Sequence, residues 1–567
     1  MSSIENTTIC APATLPGTGA ISLLRVSGPD CLAIADQVIR LRKGTLAEAA
    51  GYSLHFGEIY ETSTGAAQSA NEAEGENLMG GQAFVDERSS RDGLLDEVLV
   101  SVFRAPRSYT GEDMVEISCH ASAYIVERIL SLLCQAGASP AEPGEFTRRA
   151  FLNGKMDLSQ AEAVADVIAS DSRSAHRLAM NQMKGGYSAE LGRIRDELLH
   201  LASLMELELD FSEEDVEFAD RSELSRLLDK AIDRCTMLAD SFRVGDALKN
   251  GIPTAIVGAP NSGKSTLLNA LCGQDRAIVS PIAGTTRDTI EETCVIDGLL
   301  FRFIDTAGIR QSDEAIERLG IERSYQALAR SRVALAVLDL SRPDEELLEG
   351  MKEMTQRMSD APESDPASPS SVDFASVGSR VDIASVDSRL DRTHASEKPE
   401  LVIILNKADL EPSAARITAL KARLKALAPD ADMLVMSLLG SSESREADAR
   451  NLATANAGTP GRSTAPADAQ APLAVDDLLA LKRLLGSRFK ALADRTDTLV
   501  TNLRHANALR QAADALTRTR DGLAARIPTD LCCTDLREAL HHLGTITGTI
   551  TTQDVLNNIF SRFCIGK

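Results

Sequence analysis

The chain has 567 residues, of which 43% are hydrophobic and 25% charged, a composition typical of a globular protein with several cored domains. Its formal charge is −23 and its pI is about 4.9, which excludes non-specific coating of nucleic acid, because phosphate contacts need Lys and Arg. An RNA-binding role would therefore need a local basic patch or a basic partner. Ten scattered cysteines without metal spacing favour a reducing, cytoplasmic compartment, and no signal peptide or membrane span is predicted.

The first part of the chain, residues 1–153, is predicted to form a small α+β domain. The run at 21–29 is typical of a strand and ends in a Gly-Pro turn, and the runs at 97–106 and 113–120 are predicted to be further strands. A segment at about 61–93 is rich in Gly, Ala, Glu and Ser and has no apolar periodicity. It is predicted to be a disordered insertion.

Helical periodicity occurs on both sides of the middle of the chain. Apolar residues recur at three- and four-residue spacing over 161–183, 189–209 and 222–242, and again from about 476, with a long helix predicted over 497–525. Neither set is large enough for a good core alone, so the two sets are predicted to pack together. The helical domain then comprises 154–248 and 491–567, interrupted by an inserted domain at 249–490.

The inserted domain alternates strand, loop and helix. Its apolar runs each end in a polar loop, and they lie at 253–260, 299–308, 333–340 and 401–409. This order predicts a doubly wound α/β sheet, which binds ligands at the carboxyl ends of its strands. Two stretches, 359–398 and 440–470, are predicted to be flexible surface insertions.

The run Gly258-Ala-Pro-Asn-Ser-Gly-Lys-Ser265 matches the phosphate-binding pattern G-x-x-x-x-G-K-[ST] between a predicted strand and a predicted helix. Its glycines let backbone N–H groups turn toward phosphate oxygens, and the helix N-terminus adds partial positive charge. Lys264 is expected to reach the β- and γ-phosphates, and the Ser265 hydroxyl to bind Mg²⁺. The predicted nucleotide contacts of this P-loop are Asn261, Ser262, Gly263, Lys264, Ser265 and Thr266.

Three further motifs follow in the order that a GTPase requires. Thr286, beside Thr285, is the expected second Mg²⁺ ligand, and the run Asp305-Thr306-Ala307-Gly308 ends the next strand. The run Asn406-Lys407-Ala408-Asp409 ends a later strand, and its last carboxylate can accept two hydrogen bonds from guanine that adenine cannot donate. A guanine loop is matched more loosely by Ser437, Leu438 and Leu439.

Position 309 is Ile, whereas many regulatory GTPases orient the attacking water with a Gln at this point. The sequence by itself leaves two interpretations of the downstream acids Glu314 and Glu317. They are either candidates for the catalytic base or a solvated acidic helix start. No arginine finger is evident either, since Arg287 and Arg310 could be ordinary surface arginines.

Outside these motifs the chain resembles the MnmE (TrmE) family of tRNA-modification GTPases. The segments that carry the resemblance are RSYTGEDMVEISCH at 107–120, PGEFTRRAFLNGKMDLSQAEAVADVI at 143–168 and FSRFCIGK at 560–567. It implies an N-terminal domain that binds 5-formyl-tetrahydrofolate or a related folate and forms a homodimer. It also implies an FAD-dependent partner of the MnmG type, in a heterotetramer that adds aminomethyl or carboxymethylaminomethyl groups to C5 of wobble uridine in tRNA.

The resemblance also assigns roles to individual residues. The loop Ser280, Pro281, Ile282, Ala283, Gly284, Thr285 would contact GTP, and a K⁺ ion would replace the arginine finger on Asn261, Ser280, Ile282 and Thr285. Glu317 matches the catalytic glutamate that orients water. The folate positions are matched by Arg25, Glu116, Lys155 and Lys567, and the terminal cysteine, a candidate catalytic or redox residue, by Cys564.

Alternative interpretations stand beside these. Without the resemblance, the folate residues read as an exposed strand arginine, a strand-end acid and loop lysines, and Cys564 as a buried inert thiol. Prenylation of Cys564 is rejected, because Gly566 and Lys567 fit that signal poorly. The alternative function is a ribosome-assembly GTPase that binds ribosomal RNA, although the acidic charge argues against it. A signalling switch is the third class, and Ile309 argues against it.

Overall fold

The computed structural model describes residues 7–61, 93–210, 221–273, 291–304, 327–328, 330–359, 398–410, 412–438, 475–493, 498–561 and 563–566. The three predicted insertions lie almost wholly outside these residues. The chain divides into two compact units. The first contains Met1–Ala165, Gln182–Ile232 and Gln511–Lys567, and the second contains Asp166–Asn181 and Asp233–Arg510. None of the described helices is both long enough and apolar enough to span a membrane.

The first unit contains a seven-stranded sheet with the order β3-β4-β5-β6-β2-β1-β7. All its neighbouring strands are antiparallel except β1 and β7. The strands are β1 Ile9–Pro12, β2 Ile21–Ser27, β3 Ile39–Leu41, β4 Ser53–Tyr60, β5 Leu94–Phe103, β6 Met114–His120 and β7 Ser139–Pro140. Two helices, α1 Cys31–Val38 and α2 Ala123–Gln135, accompany the sheet.

Alternation along the strands gives this sheet one buried face. The opposite face is covered at β1, where Ile9 and Ala11 pack with Phe146, and is open along β4 and β5. On β5, Val98, Val100 and Val102 are buried in one cluster with Ile129 and Leu133 of α2. The residues between them point to the opposite face, where Leu99 is 44% exposed. The hydrophobic pattern therefore fixes which strand residues remain available for contacts with other molecules.

The remaining helices that lie wholly in the first unit are α3 Glu145–Leu152, α6 Gly186–Asp210, α14 Thr529–Thr547 and α15 Gln553–Phe560. Helix α6 packs against α14, far away in sequence. The packed face of α6 is a stripe at three- and four-residue spacing, Ile194, Leu198, Leu201 and Met205. The structure thus joins helical segments from both sides of the inserted domain, as their apolar faces predict.

The second unit contains a six-stranded sheet with the order β13-β12-β11-β8-β10-β9. Only β9 is antiparallel to its neighbour. The strands are β8 Ile252–Val257, β9 Glu292–Ile296, β10 Leu299–Phe303, β11 Val333–Asp339, β12 Glu400–Asn406 and β13 Asp432–Val435. Its helices are α8 Phe242–Asn250, α9 Lys264–Cys272, α10 Asp344–Ser359, α11 Ala414–Leu427 and α12 Val475–Ala493. Both faces of the sheet are buried, as for a doubly wound sheet.

Four of the described helices contribute residues to both units, namely α4 Leu158–Ile168, α5 Arg173–Met183, α7 Arg221–Asp240 and α13 Leu503–Ala524. The multidomain α/β plus all-α fold class is confirmed, whereas the individual domain boundaries remain predictions. Two helix predictions are wrong in detail. The stretch 161–183 is divided into α4 and α5, because the Ser172 hydroxyl accepts a hydrogen bond from Ala175 N (3.1 Å) and begins a new helix. The long helix begins at Leu503 instead of 497, where the Asn502 side chain caps Arg504 N (2.9 Å).

Candidate functional site

The P-loop connects the carboxyl end of β8 to the start of α9. Two of its glycines lie where a side chain could not fit. A Cβ on Gly258 would lie 2.3 Å from the Val337 carbonyl oxygen, and one on Gly263 would lie 2.2 Å from the Asn406 amide nitrogen. Asn261 adopts a left-handed φ of 59°, which Asn tolerates better than most residues. The loop is therefore bent tightly against β11 and β12.

Lys264 begins α9, and its Nζ donates hydrogen bonds to the carbonyl oxygens of Gly258 and Ala259, each at 2.9 Å. The ammonium group thus lies within the concave side of the loop, where a phosphate would be bound. Ser265 and Thr266 follow in the first turn of the same helix. The structure brings all six predicted P-loop contacts together around one helix N-terminus.

Asn406 connects the P-loop to the predicted guanine loop. Its amide nitrogen donates to the Ser262 carbonyl oxygen (2.8 Å), and its amide oxygen accepts from Leu438 N (3.2 Å). The residue is only 3% exposed, so both bonds are protected from competing water. The sequence placed Asn406 among the nucleotide contacts, and the structure gives it a further role as the link between two loops.

Asp409 lies in the short 3-10 turn that follows β12. The Ser437 hydroxyl donates to its carboxylate (2.8 Å), and Ser437 N donates to the Asp477 carboxylate on α12 (2.9 Å). The loosely matched run Ser437-Leu438 therefore lies beside the predicted guanine-reading carboxylate. Asp477 was not predicted as a site residue, and its only signal in the sequence is its place among the acids that begin α12.

Lys407 is held by the carboxylate of Asp339, which was also not predicted as a site residue. Its Nζ donates to Asp339 at the end of β11 (2.7 Å), and Asp339 is 4% exposed. Burial by itself raises the pKa of the Asp339 carboxyl, but hydrogen bonds from Lys407 and Ser341 outweigh it and hold the pKa below its ordinary value. Asp339 is therefore ionised at neutral pH. The available sequence signal was an acid at the carboxyl end of a buried strand.

Several predicted site residues lie outside the described residues, so their placement remains a prediction. They are Ser280, Pro281, Ile282, Ala283, Gly284, Thr285, Thr286, Asp305, Thr306, Ala307, Gly308, Glu317, Leu439 and Lys567. Of the predicted Mg²⁺ and K⁺ ligands, only Ser265 and Asn261 are described. Within the described ranges no cluster of His, Cys, Asp and Glu could hold a metal ion.

A second polar site lies on the sheet of the first unit. Arg25 Nε donates to Glu116 (2.8 Å), both side chains are 17% exposed, and Arg25 also donates to the Gly566 carbonyl oxygen (3.2 Å). The Arg25 guanidinium lies 5.6 Å from the Tyr109 ring centroid, and the Tyr109 hydroxyl is bonded to Thr147 (2.8 Å). The interpretation of Arg25 as an exposed strand arginine is therefore wrong.

Lys155 and the terminal segment lie in the same unit as this pair. Lys155 Nζ donates to the Pro106 carbonyl oxygen (2.9 Å), in the segment that leads to Tyr109. A Cβ on Gly566 would lie 2.1 Å from the Pro12 carbonyl oxygen, so the chain terminus is in close contact with β1. The structure thus brings Arg25 and Glu116 together with the terminal segment. Tyr109 was not predicted as a site residue, although it lies in the motif at 107–120.

All ten cysteines are described, and Cys564 is the exposed one. Its carbonyl oxygen accepts a hydrogen bond from Gly144 N (3.4 Å), just ahead of α3. The other thiols are buried or half-buried, and burial raises the pKa of Cys10 to about 12 and that of Cys119 to about 11. The interpretation of Cys564 as a buried thiol is therefore wrong, and this thiol is open to reagents and partners.

Comparison with known proteins gives consistent matches over the whole chain. The model of the MnmE helical domain matches residues 158–564, and the model of the GTP-binding protein TrmE N-terminus matches residues 8–155. The tRNA modification GTPase MnmE of Parabacteroides distasonis is 41% identical over 563 residues, 99% of this chain and 100% of that protein. The protein of the same name from Bacteroides thetaiotaomicron is 40% identical and that from Christiangramia forsetii 41% identical, each match covering 99% of both chains.

Proposed function

This chain belongs to the MnmE family of tRNA modification GTPases, and from that premise we propose that it hydrolyses GTP in the modification of wobble uridine in tRNA. One observation in the structure supports the nucleotide part most strongly. Asn406 is hydrogen-bonded both to the P-loop and to the loop that contacts Asp409. The phosphate-binding and guanine-reading elements are therefore adjacent. The finer chemistry, addition of (carboxymethyl)aminomethyl groups with an MnmG-type flavoprotein, rests on the family resemblance.

Each predicted site residue has a distinct task in this proposal. The P-loop N–H groups and the Lys264 ammonium bind the phosphates, and Asp409 reads the guanine edge. The Ser265 hydroxyl would hold Mg²⁺ together with Thr286, and the ion would neutralise charge that develops on the phosphates. Glu317 orients the attacking water, which removes the need for a Gln at position 309.

The tRNA role predicts a change in cellular tRNA. Deleting the gene should remove C5-aminomethyl-type uridines from wobble positions, as measured by mass spectrometry of digested tRNA. The intact gene should restore them, and Lys264→Ala should not, because the phosphate-binding ammonium is lost. Lys352→Ala, which replaces an exposed lysine on α10, is the matched control and should restore them fully. Unchanged wobble uridines in the deletion strain would contradict the tRNA role and favour the ribosome-assembly alternative.

We propose further that a potassium ion assists hydrolysis in place of an arginine finger. Asn261 supports this proposal, because its left-handed φ of 59° and exposed side chain present an amide oxygen at the tip of the P-loop. Amide and carbonyl oxygens are suitable ligands for hard cations. Ser280, Ile282 and Thr285 would supply the other contacts, and the cation would offset negative charge between the phosphates.

Replacing KCl by NaCl should slow GTP hydrolysis on the order of 100-fold, the range expected when one electrostatic contact to the transition state is removed. Asn261→Gly should abolish the difference between the two salts while retaining GDP binding. Glycine is the appropriate substitution, because it adopts the φ of 59° without strain. Equal rates of the wild-type protein in both salts would rule out the potassium proposal.

A folate site in the first unit is the third part of the proposal. Arg25 and Glu116 form an ion pair that Tyr109 and the terminal segment adjoin, so a carboxylate, a guanidinium and an aromatic ring converge. A carboxylate can pair with the amino-pyrimidine edge of a pterin, and cations can bind the glutamate tail. Lys155 and Lys567 would supply those cations.

Arg25→Ala should weaken binding of 5-formyl-tetrahydrofolate at least about tenfold, because the half-buried Glu116 carboxylate loses its partner. Isothermal titration calorimetry measures the effect directly. Arg40→Ala is the matched control, since Arg40 is an exposed arginine whose guanidinium lies over the Tyr60 ring. An Arg25→Ala protein that binds this folate as tightly as wild type would place the ligand elsewhere.

The open face of the first sheet supports the homodimer that the resemblance implies. Ile21 is 68% exposed, Leu54 is 64% exposed and Leu99 is 44% exposed. The strand registers place all three on one face, because Leu99 lies opposite Ser118 and Phe56, and Ser118 lies opposite Leu23. Apolar side chains clustered on an open sheet face are typical of a protein interface.

Leu99→Glu should convert the dimer to a monomer at micromolar concentration, since a carboxylate would be buried without a partner. Light scattering coupled to size-exclusion chromatography gives the mass. Leu199→Glu on α6 is the control, because Leu199 is 42% exposed but does not belong to this sheet. A Leu99→Glu protein that remains dimeric would show that the interface uses another surface.

A further inference from the structure

Asp339 is the last residue of β11, and its carboxylate has no obvious role in the motifs of a GTPase. It accepts hydrogen bonds from Lys407 Nζ (2.7 Å), from Ser341 N (2.9 Å) and from the Ser341 hydroxyl (2.6 Å). The side chain is 4% exposed. A buried carboxylate is stable only when it is paired and hydrogen-bonded, and this one depends on Lys407 for its charge partner.

Lys407 lies between the two residues that define the base end of the nucleotide site. The Asn406 amide donates a hydrogen bond to the P-loop, and the Asp409 carboxylate accepts one from the Ser437 hydroxyl. Lys407 itself has a left-handed φ of 65°, which turns the chain sharply at the end of β12. A lysine side chain can cover an apolar surface with its methylene stem while its ammonium is bonded elsewhere. Here the ammonium is hydrogen-bonded to Asp339, so the lysine stem is held by the backbone at one end and by Asp339 at the other.

We propose that Asp339 is a positioning residue for the nucleotide: it fixes the Lys407 ammonium so that the lysine stem forms one wall of the base pocket. This inference rests on the proposed GTP binding. The stem contacts the face of the purine ring, whereas Asp409 contacts its edge. Asp339 therefore contributes affinity for the ring and leaves the choice between guanine and related 6-oxopurines to Asp409.

The segment that carries Asp339 is held in place by contacts that do not involve Lys407. Leu340 N donates to the Asn406 carbonyl oxygen (3.1 Å), and the Arg342 guanidinium donates to the Pro260 carbonyl oxygen of the P-loop (3.0 Å). Arg416 of α11 donates to the Leu340 carbonyl oxygen (3.0 Å) and to the Asp344 carboxylate (2.8 Å). Removing the charge of Asp339 therefore releases Lys407 without removing these other anchors.

The test compares nucleotide affinities of the full-length protein and its variants, measured with ribose-labelled fluorescent GDP and IDP. Asp339→Asn keeps the size of the side chain and an acceptor for Ser341, but it removes the charge that holds Lys407. Its Kd for GDP should rise about tenfold, the effect expected for loss of one hydrogen bond between charged groups. The Kd for IDP should rise by the same factor, because both bases present the same ring face.

Two further variants separate positioning from a merely structural role. Asp344→Asn makes the same change of charge on the same segment, where the partner is Arg416, and its GDP affinity should stay within about twofold of wild type. Lys407→Met retains an unbranched stem and removes the ammonium. In that background Asp339→Asn should change the Kd by less than about twofold, because the two residues act as one unit.

The outcomes are distinguishable. A wild-type protein that does not bind GDP would overturn the GTPase proposal itself. Wild-type binding together with an unchanged Kd for Asp339→Asn would overturn the positioning role, even if thermal unfolding showed a less stable protein. The positioning role would also be overturned if Asp339→Asn raised the Kd for GDP by the same factor in the wild-type protein and in the Lys407→Met protein. Asp339 would then act through a contact other than Lys407.

Discussion

The nucleotide site depends on one buried side-chain amide. Asn406 donates to the P-loop and accepts from the guanine loop, and at 3% exposure neither bond competes with water. Because Gly263 leaves no room for a Cβ beside this amide, the approach of β12 to the P-loop requires both residues at once. The two binding loops belong to different strands, and without this link their separation would vary with every fluctuation of the loops. Phosphate and base recognition are thus coupled through the two hydrogen bonds of one buried side chain.

The sequence predicted four of the six strands of the second unit, because β8, β10, β11 and β12 are buried apolar runs that end in polar loops. The strands β9 and β13 were not predicted, since neither is a continuous buried run. The sequence also predicted the P-loop and the Asn406–Asp409 motif, whose chemistry is local in sequence. Asp339 and Asp477 were not predicted, since each acts on a residue at least 40 positions away in sequence. A carboxylate in such a position looks like any strand-end or helix-start acid until the fold brings its partner close. Two helix boundaries were predicted wrongly, because side-chain caps at Ser172 and Asn502 begin helices at points that the apolar periodicity does not mark.

In the first unit, too, sequence patterns do not reveal polar contacts between residues that are far apart in the chain. Arg25 and Glu116 are 91 residues apart in sequence, yet they are directly opposite each other on neighbouring strands. Apolar alternation alone identifies their strands and says nothing about this pairing. The contact between the terminal segment and β1 is even less accessible to sequence reasoning, because Gly566 fits there only through the absence of a side chain. Only the structure shows these long-range contacts, although the family resemblance pointed to Arg25 and Glu116 as members of one site.

Side chains alternate between the two faces of the first sheet, and this alternation places the proposed folate site and the proposed dimer interface on the same face. The alternation that buries Val98, Val100 and Val102 also places Arg25 and Glu116 on the opposite face of the sheet. The exposed Leu99 lies on that same face. A second copy seated there would exclude water from the surroundings of the ion pair and lower the local dielectric. Hydrogen bonds from a polar ligand to Glu116 would then become stronger, and dimerisation and ligand binding would reinforce each other by linkage.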